Sequence, residues 1–188
     1  MSSGINLGIE VGFDGMDDLL KGLAAMQAKD VVAGFPQEDD EPREDEDGNP
    51  TPITNAALAY VHNNGAPEQN IPARPFMVEG IESKGDQIGD GMKAAGTFAL
   101  DGNVQGVEQS LNAVGLIAKN GIQMKILDGP FEPLADSTLE ARAARGRKGA
   151  QAELDRRENG EDPGVDLARP LNDTGQMRNA VNYALREK

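Results

Sequence analysis

The chain has no cysteine and no tryptophan, and only five phenylalanines, two tyrosines and one histidine among its 188 residues. Without cysteine there are no disulfides, no thiolate catalysis and no cysteine-ligated zinc, a pattern that fits a cytosolic product. The single histidine, His62, has no serine, cysteine or second metal ligand beside it in sequence, so it reads as structural rather than catalytic. Scarce aromatics leave leucine, isoleucine, valine, methionine and alanine to build the core. No window approaches eighteen consecutive apolar residues, so no membrane span is expected. The opening Met1-Ser-Ser-Gly4 lacks the basic region and apolar stretch of a secretory signal. Basic residues are also in deficit, 18 against 32 acidic, for a formal charge of −14. Such a surface is repelled by DNA phosphates, which argues against a nucleic-acid reader.

What is abundant is glycine, 23 residues, and proline, 11 residues. Both favour long irregular connections, and they describe a subunit that leans on neighbours for part of its stability. The length fits one domain over residues 1–188 with a modest core.

Ile5, Leu7, Ile9 and Val11 alternate with polar residues and glycine, as in a strand with one buried face. Asp14 then offers a cap for a helix carrying Met16, Leu19, Leu20, Leu23 and Met26. Val31–Phe35 reads as a second strand. Thr54 caps a short helix bearing Leu58 and Val61, with Gly65 as its stop. Ile71-Pro-Ala-Arg-Pro75 must be extended, because each proline pushes the preceding residue out of helical angles. Arg74 is thereby pre-oriented, either toward a fixed carboxylate or outward on a rigid elbow.

From Phe76 a helical pattern runs through Ile81, Ile88, Met92, Ala95 and Ala99. Its glycines each weaken it by about 1 kcal/mol relative to alanine, so it needs packing partners. Asp101-Gly-Asn103 breaks the pattern, and Val104, Val107, Leu111, Val114, Ala118 and Ile122 continue in a second helix to about residue 127. Ser137 caps a short helix with Leu139, Arg142 and Arg145. Val181, Tyr183 and Leu185 alternate as a closing strand. The element order predicts an α+β fold: a small antiparallel or mixed sheet of about four strands, two long helices against it, and long polar loops.

Between Pro36 and Pro52 the composition breaks. Eight acidic residues, among them Glu38, Glu44, Asp45 and Asp47, face one Arg43, so half of the charge imbalance sits here. The prolines and the Gly48-Asn49-Pro50 turn predict a flexible acidic loop without regular structure. Calcium is the sharper alternative for such oxygen-rich sequence, but the segment lacks the glycine and terminal glutamate of an EF-hand. Residues 142–157 hold six basic residues, Arg142, Arg145, Arg147, Lys148, Arg156 and Arg157. With no aromatic to stack bases, this stretch reads as a solvated face, or as a contact for an acidic neighbour such as the Glu38–Asp47 segment of the next subunit.

No nucleophile–base pair, metal cluster or phosphate-cradling glycine loop is present in the sequence, and the acidic cluster lacks an apolar setting that would shift a carboxylate pKa. The sequence therefore points away from an enzyme, with no catalytic residue, metal ligand or cofactor to nominate.

Two phrases are more idiosyncratic: Pro133-Leu-Ala-Asp-Ser-Thr-Leu-Glu-Ala-Arg142 and Arg169-Pro-Leu-Asn-Asp-Thr-Gly-Gln-Met-Arg178. Upstream stand Asn55-Ala-Ala-Leu-Ala-Tyr-Val-His-Asn-Asn-Gly65 and Ile71-Pro-Ala-Arg-Pro-Phe-Met77. In this order the blocks resemble the virion-morphogenesis family of tailed bacteriophages, the tail-completion or neck proteins, over roughly residues 54–185.

The resemblance implies a structural subunit of the head–tail connector, a neck, collar or tail-completion protein. It would form a closed ring of about six or twelve copies. Its neighbours would be the portal-bound adaptor and the tail terminator or tail tube proteins. Such a protein assembles in the host cytoplasm and ends in the virion neck, where DNA passes through the channel without specific binding. On this reading the interface candidates are Ile71, Arg74, Phe76, Met77, Arg142 and Arg145, with Ile71–Met77 as a proline-stiffened arm and Phe76 and Met77 as its apolar tip. The rival reading is a soluble acidic binding module, a DNA mimic or calcium-binding element that acts on a basic partner.

Overall fold

A computed structural model of the chain describes residues 15–36, 42–45 and 47–188. The expected first strand, Ile5–Val11, and its following cap, Asp14, lie outside the described residues. The described elements run α1 (Met16–Gln27), β1 (Lys29–Gly34), β2 (Pro42–Glu44), β3 (Pro50–Thr54), α2 (Asn55–Asn64), α3 (Phe76–Glu82), α4 (Gly85–Leu100) and α5 (Val104–Asp128). After these come α6 (Asp136–Ala144), α7 (Lys148–Glu158), α8 (Gln176–Asn179) and β4 (Asn182–Glu187). The fold is α+β, with its four described strands divided between two antiparallel pairs, β1–β4 and β2–β3.

Helix α5 is the axis of the molecule. Its buried positions Val107, Leu111, Val114, Ala118, Ile122 and Ile126 recur every three or four residues, which places them on one stripe. Val104, expected on that stripe, stays exposed at the first turn. The Asn103 side chain accepts a hydrogen bond from Gly106 N at 2.9 Å and so caps the helix start. Helices α1, α3 and α4 and the β1–β4 pair pack around α5. The strands pair antiparallel from Lys29 opposite Glu187 to Gly34 opposite Asn182. Val31 thereby faces Leu185, and both pack against Ala95, Ala99, Val107 and Leu111.

The expected single helix from Phe76 to Ala99 is broken between α3 and α4. Ser83 Oγ donates to the Gly80 carbonyl at 2.7 Å and Lys84 adopts non-helical angles, which ends α3 at Glu82 before α4 begins at Gly85. The break lets α3 cross α5 at close range. A Cβ on Gly80 would stand 2.7 Å from Ile122 Cα and 2.9 Å from the Gly121 carbonyl oxygen. A glycine that weakens an isolated helix is here what allows the two backbones to touch.

A second centre of packing lies beneath α6 and α7. Leu134, Leu139, Ala150 and Ala168 form its buried cluster. Ser137 is not the cap of α6, since the helix begins at Asp136 and Ala135 occupies the cap position with no side-chain bond. On α7, Glu153 is 1% exposed. It accepts hydrogen bonds from Arg156 at 2.9 and 3.0 Å, from Arg157 Nε at 3.0 Å and from Gly164 N at 2.8 Å. Burial alone would raise its pKa, but the Arg156 hydrogen bonds, the Gly164 N–H and Arg157 reverse that and hold it at about 2.

The acidic segment departs from its expected form. Pro42–Glu44 pairs antiparallel with Pro50–Thr54 in a short hairpin, so regular structure is present despite the prolines. Pro42 and Pro50 open their strands, where the ladder is spared their missing N–H groups, while Pro52 lies within β3 of this two-stranded pair. Asp45 organises the turn: its carboxylate accepts from Asn49 N at 2.8 Å and Asp47 N at 3.0 Å, which lowers its pKa. Gln176 bonds both the N–H and the carbonyl of Glu44 at 3.2 and 3.0 Å and fastens the hairpin to the C-terminal block.

Candidate functional site

Four sequence blocks that lie far apart along the chain meet at one cleft of about 810 Å³. Its walls come from α2, the turn at 65–74, the segment 132–135 leading into α6, and Pro170 with Asp173. Thr54 starts α2 by accepting from Ala57 N at 3.2 Å, and Gly65 ends it at a positive φ of 78°. The chain then doubles back through Asn70, in left-handed conformation, so that Ala66 and Ile71 pair across a single antiparallel bridge. Arg74 N donates to the His62 carbonyl at 2.8 Å, and Met77 N donates to Asn63 Oδ1 at 3.1 Å.

These two backbone anchors decide the fate of the proline-rich segment. Pro72, Ala73 and Pro75 face solvent, whereas Arg74 and Phe76 turn inward. Arg74 is 6% exposed, so it is not an outward elbow. Its Nε has no hydrogen-bond partner, and Glu132 favours its charge only through space, against the lowering effect of burial. Phe76 is wholly buried, packed with Ala59, Ile122, Ile126, Leu171, Met177 and Val181. It begins α3 as a core residue and is not the apolar tip of an interface arm. Met77 is half-buried against the same cluster. Ile71 remains partly exposed and Arg145 exposed, so these two of the six nominated residues are open to a partner.

Arg142 ties the blocks together. Its guanidinium is nearly buried and donates to the carbonyls of Arg169 at 2.8 Å and Pro170 at 3.0 Å. The phrase ending at Arg142 and the phrase beginning at Arg169 are therefore two halves of one structural unit. Asp173 balances the surrounding charge. It lies 3.9 Å from Arg142, 3.3 Å from Arg145 and 3.0 Å from Arg147. Arg169 is drawn the other way, to Asp128 at 2.7 Å and the Leu127 carbonyl at 3.0 Å.

His62 lines the same cleft and is half-buried. Burial, reinforced by the positive charges of Arg74, Arg142 and Arg43, lowers its pKa to about 4. It is neutral at neutral pH, and its Nδ1 is buried without a partner. Arg43 reaches the cleft from β2 and donates to Asn55 Oδ1 at 2.6 Å.

The basic stretch 142–157 is therefore only partly a solvated face. Arg156 and Arg157 serve Glu153, and Arg157 also pairs with Asp136. Arg145 and Arg147 border a depression shared with Glu44, Asp45 and Asp47 of the same chain. The acidic hairpin and the basic stretch thus border one depression within one molecule. Sequence reasoning passed over Asp173 and Glu132, although both sit inside or beside the quoted phrases. Among the described residues no group of three or more histidine, aspartate or glutamate side chains could hold a metal ion. Among them no helix is long and apolar enough to cross a membrane.

Comparison of the chain with protein-family models, with curated proteins and with solved structures finds no match.

Proposed function

We propose that the chain is a structural subunit of a tailed-phage virion, acting in the neck or at tail completion, and not an enzyme. The observation that carries this reading is the convergence of the four family-like blocks on one cleft, with Arg142 bonded to the Arg169 and Pro170 carbonyls. Phrases shared by a family for structural reasons are expected to form one packed unit.

A ring subunit presents two different surfaces to identical neighbours. Large apolar side chains available for such contacts stay exposed at Tyr60 on α2, Val78 on α3, Leu100 on α4 and Leu116 and Met124 on α5. The net charge of −14 suits a wall past which DNA slides without being held.

Multi-angle light scattering and negative-stain microscopy of the purified chain test the proposal. Closed rings are expected, either from the chain alone or on addition of the matching portal-adaptor or tail components. A monomer that joins no ring under any of these conditions would overturn it.

A further inference from the structure

The cleft beside Ile71–Arg74 contains polar groups that the chain itself leaves without partners. Arg74 is 6% exposed, yet its Nε–H meets no acceptor. His62 Nδ1, in the same cleft, is also buried and unpartnered. A guanidinium keeps its charge at neutral pH, Glu132 favours that charge only through space, and a buried donor without an acceptor is disfavoured unless something binds to it. A neutral imidazole can turn an Nδ1–H toward the same acceptor.

The surrounding charge has the same sign. Arg43, Arg74, Arg142 and Arg145 line the cleft against two carboxylates, Glu132 and Asp173. Asp173 is already shared with Arg147 as well. The cleft is thus a local cationic site on a protein of net charge −14.

Its walls narrow the choice of anion. Leu58, Pro72, Ala73, Pro133 and Pro170 are apolar, so the basic floor is approached between hydrocarbon surfaces. That shape suits a carboxylate on a short apolar stem. A polyanion such as nucleic acid would meet the repulsion of the remaining surface.

We propose that this cleft is a carboxylate-binding site, filled by an acidic side chain of a partner polypeptide that pairs with the Arg74 guanidinium beside His62. The assignment is independent of any place in a virion. It explains why Arg74 is kept buried with an unsatisfied Nε between two solvent-facing prolines: the backbone holds the guanidinium in position before the partner arrives.

The test uses the full chain and three probes: a blocked Glu-Asp-Asp-Glu peptide, its Gln-Asn-Asn-Gln counterpart and inorganic phosphate. Affinity is read by calorimetry, and the site by the arginine Nε–Hε resonance of Arg74. The acidic peptide is expected to bind and shift that resonance, and the amide peptide to do neither. Arg74→Met is expected to weaken peptide binding by about tenfold or more, the size of one lost charged hydrogen bond, with unchanged or higher thermal stability. Thr138→Glu places a carboxylate on an exposed position of the cleft rim and is expected to block the peptide as well. Should Arg74→Met fail to fold, Thr138→Glu decides alone. Full peptide affinity in Thr138→Glu, phosphate binding as tight as the peptide, or no binding by the acidic peptide would each overturn the proposal.

Discussion

Replacing Arg142 with alanine tests the idea that one guanidinium holds two distant phrases together. Its two hydrogen bonds, at 2.8 and 3.0 Å, are charged-group bonds to backbone carbonyls, and Pro170 is itself buried. Each such bond contributes about 1.5–3 kcal/mol, and a buried carbonyl left without a donor pays its own desolvation. Burial and repulsion from Arg145, Arg74 and Arg147 work against the Arg142 charge, so its removal returns part of that loss. The net expectation is a destabilisation of about 3–4 kcal/mol. Arg142→Lys keeps a charge but offers a single point donor for two carbonyls, and is expected to lose about half as much.

Urea unfolding followed by circular dichroism gives the stability change, with an unchanged dependence on urea if the transition stays cooperative. Hydrogen exchange gives the location. Amides in residues 131–175 are expected to exchange faster in Arg142→Ala before those of α5 do. A loss below about 0.5 kcal/mol, with exchange in 131–175 unchanged, would refute the tie between the two phrases.

Phe76→Asp puts a carboxylate among six other buried core side chains, and the cost of several kcal/mol for an unpaired buried charge predicts a chain that fails to fold by itself. A folded Phe76→Asp subunit would return that residue to the interface. Gly80→Ala forces α3 and α5 apart, since backbone atoms crowd the new Cβ, and a loss of about 1–3 kcal/mol is expected in thermal unfolding. Gly89→Ala in α4, with nothing within 4 Å of its Cβ, should instead stabilise by up to about 1 kcal/mol, and equal effects at both sites would contradict the close crossing.

Acid should destabilise the fold in two stages. His62 titrates at about 4 when folded against an ordinary 6.5, so the unfolded chain takes up its proton first and stability falls from pH 6.5 toward 4. Glu153, at about 2 against 4.5, adds a second loss as pH falls from 4.5 toward 2. His62→Gln should flatten the first stage only, and Glu153→Gln the second, in denaturation midpoints measured across pH.

Elements with a periodic or local signal were legible in the amino-acid chain. Spacing marked the buried stripe of α5, a short β-prone run marked β1 and alternation marked β4, and the two strands pair in one sheet. Short-range chemistry located the Thr54 cap and the Gly65 stop, because those interactions span three or four residues. Tertiary structure alone decided the cleft. Extended backbone in Ile71–Pro75 follows from its prolines, but whether Arg74 or Pro72 faces inward depends on a bond to His62, twelve residues away. The same holds for Phe76, an apolar residue that could equally have served a core or an interface until α5 and α8 closed over it. Arg142 meets its carbonyls across 27 and 28 residues, and Gln176 meets Glu44 across 132. Hydrogen bonds and charge pairs at such separations leave no period in the chain, so only the packed fold brings their two ends together.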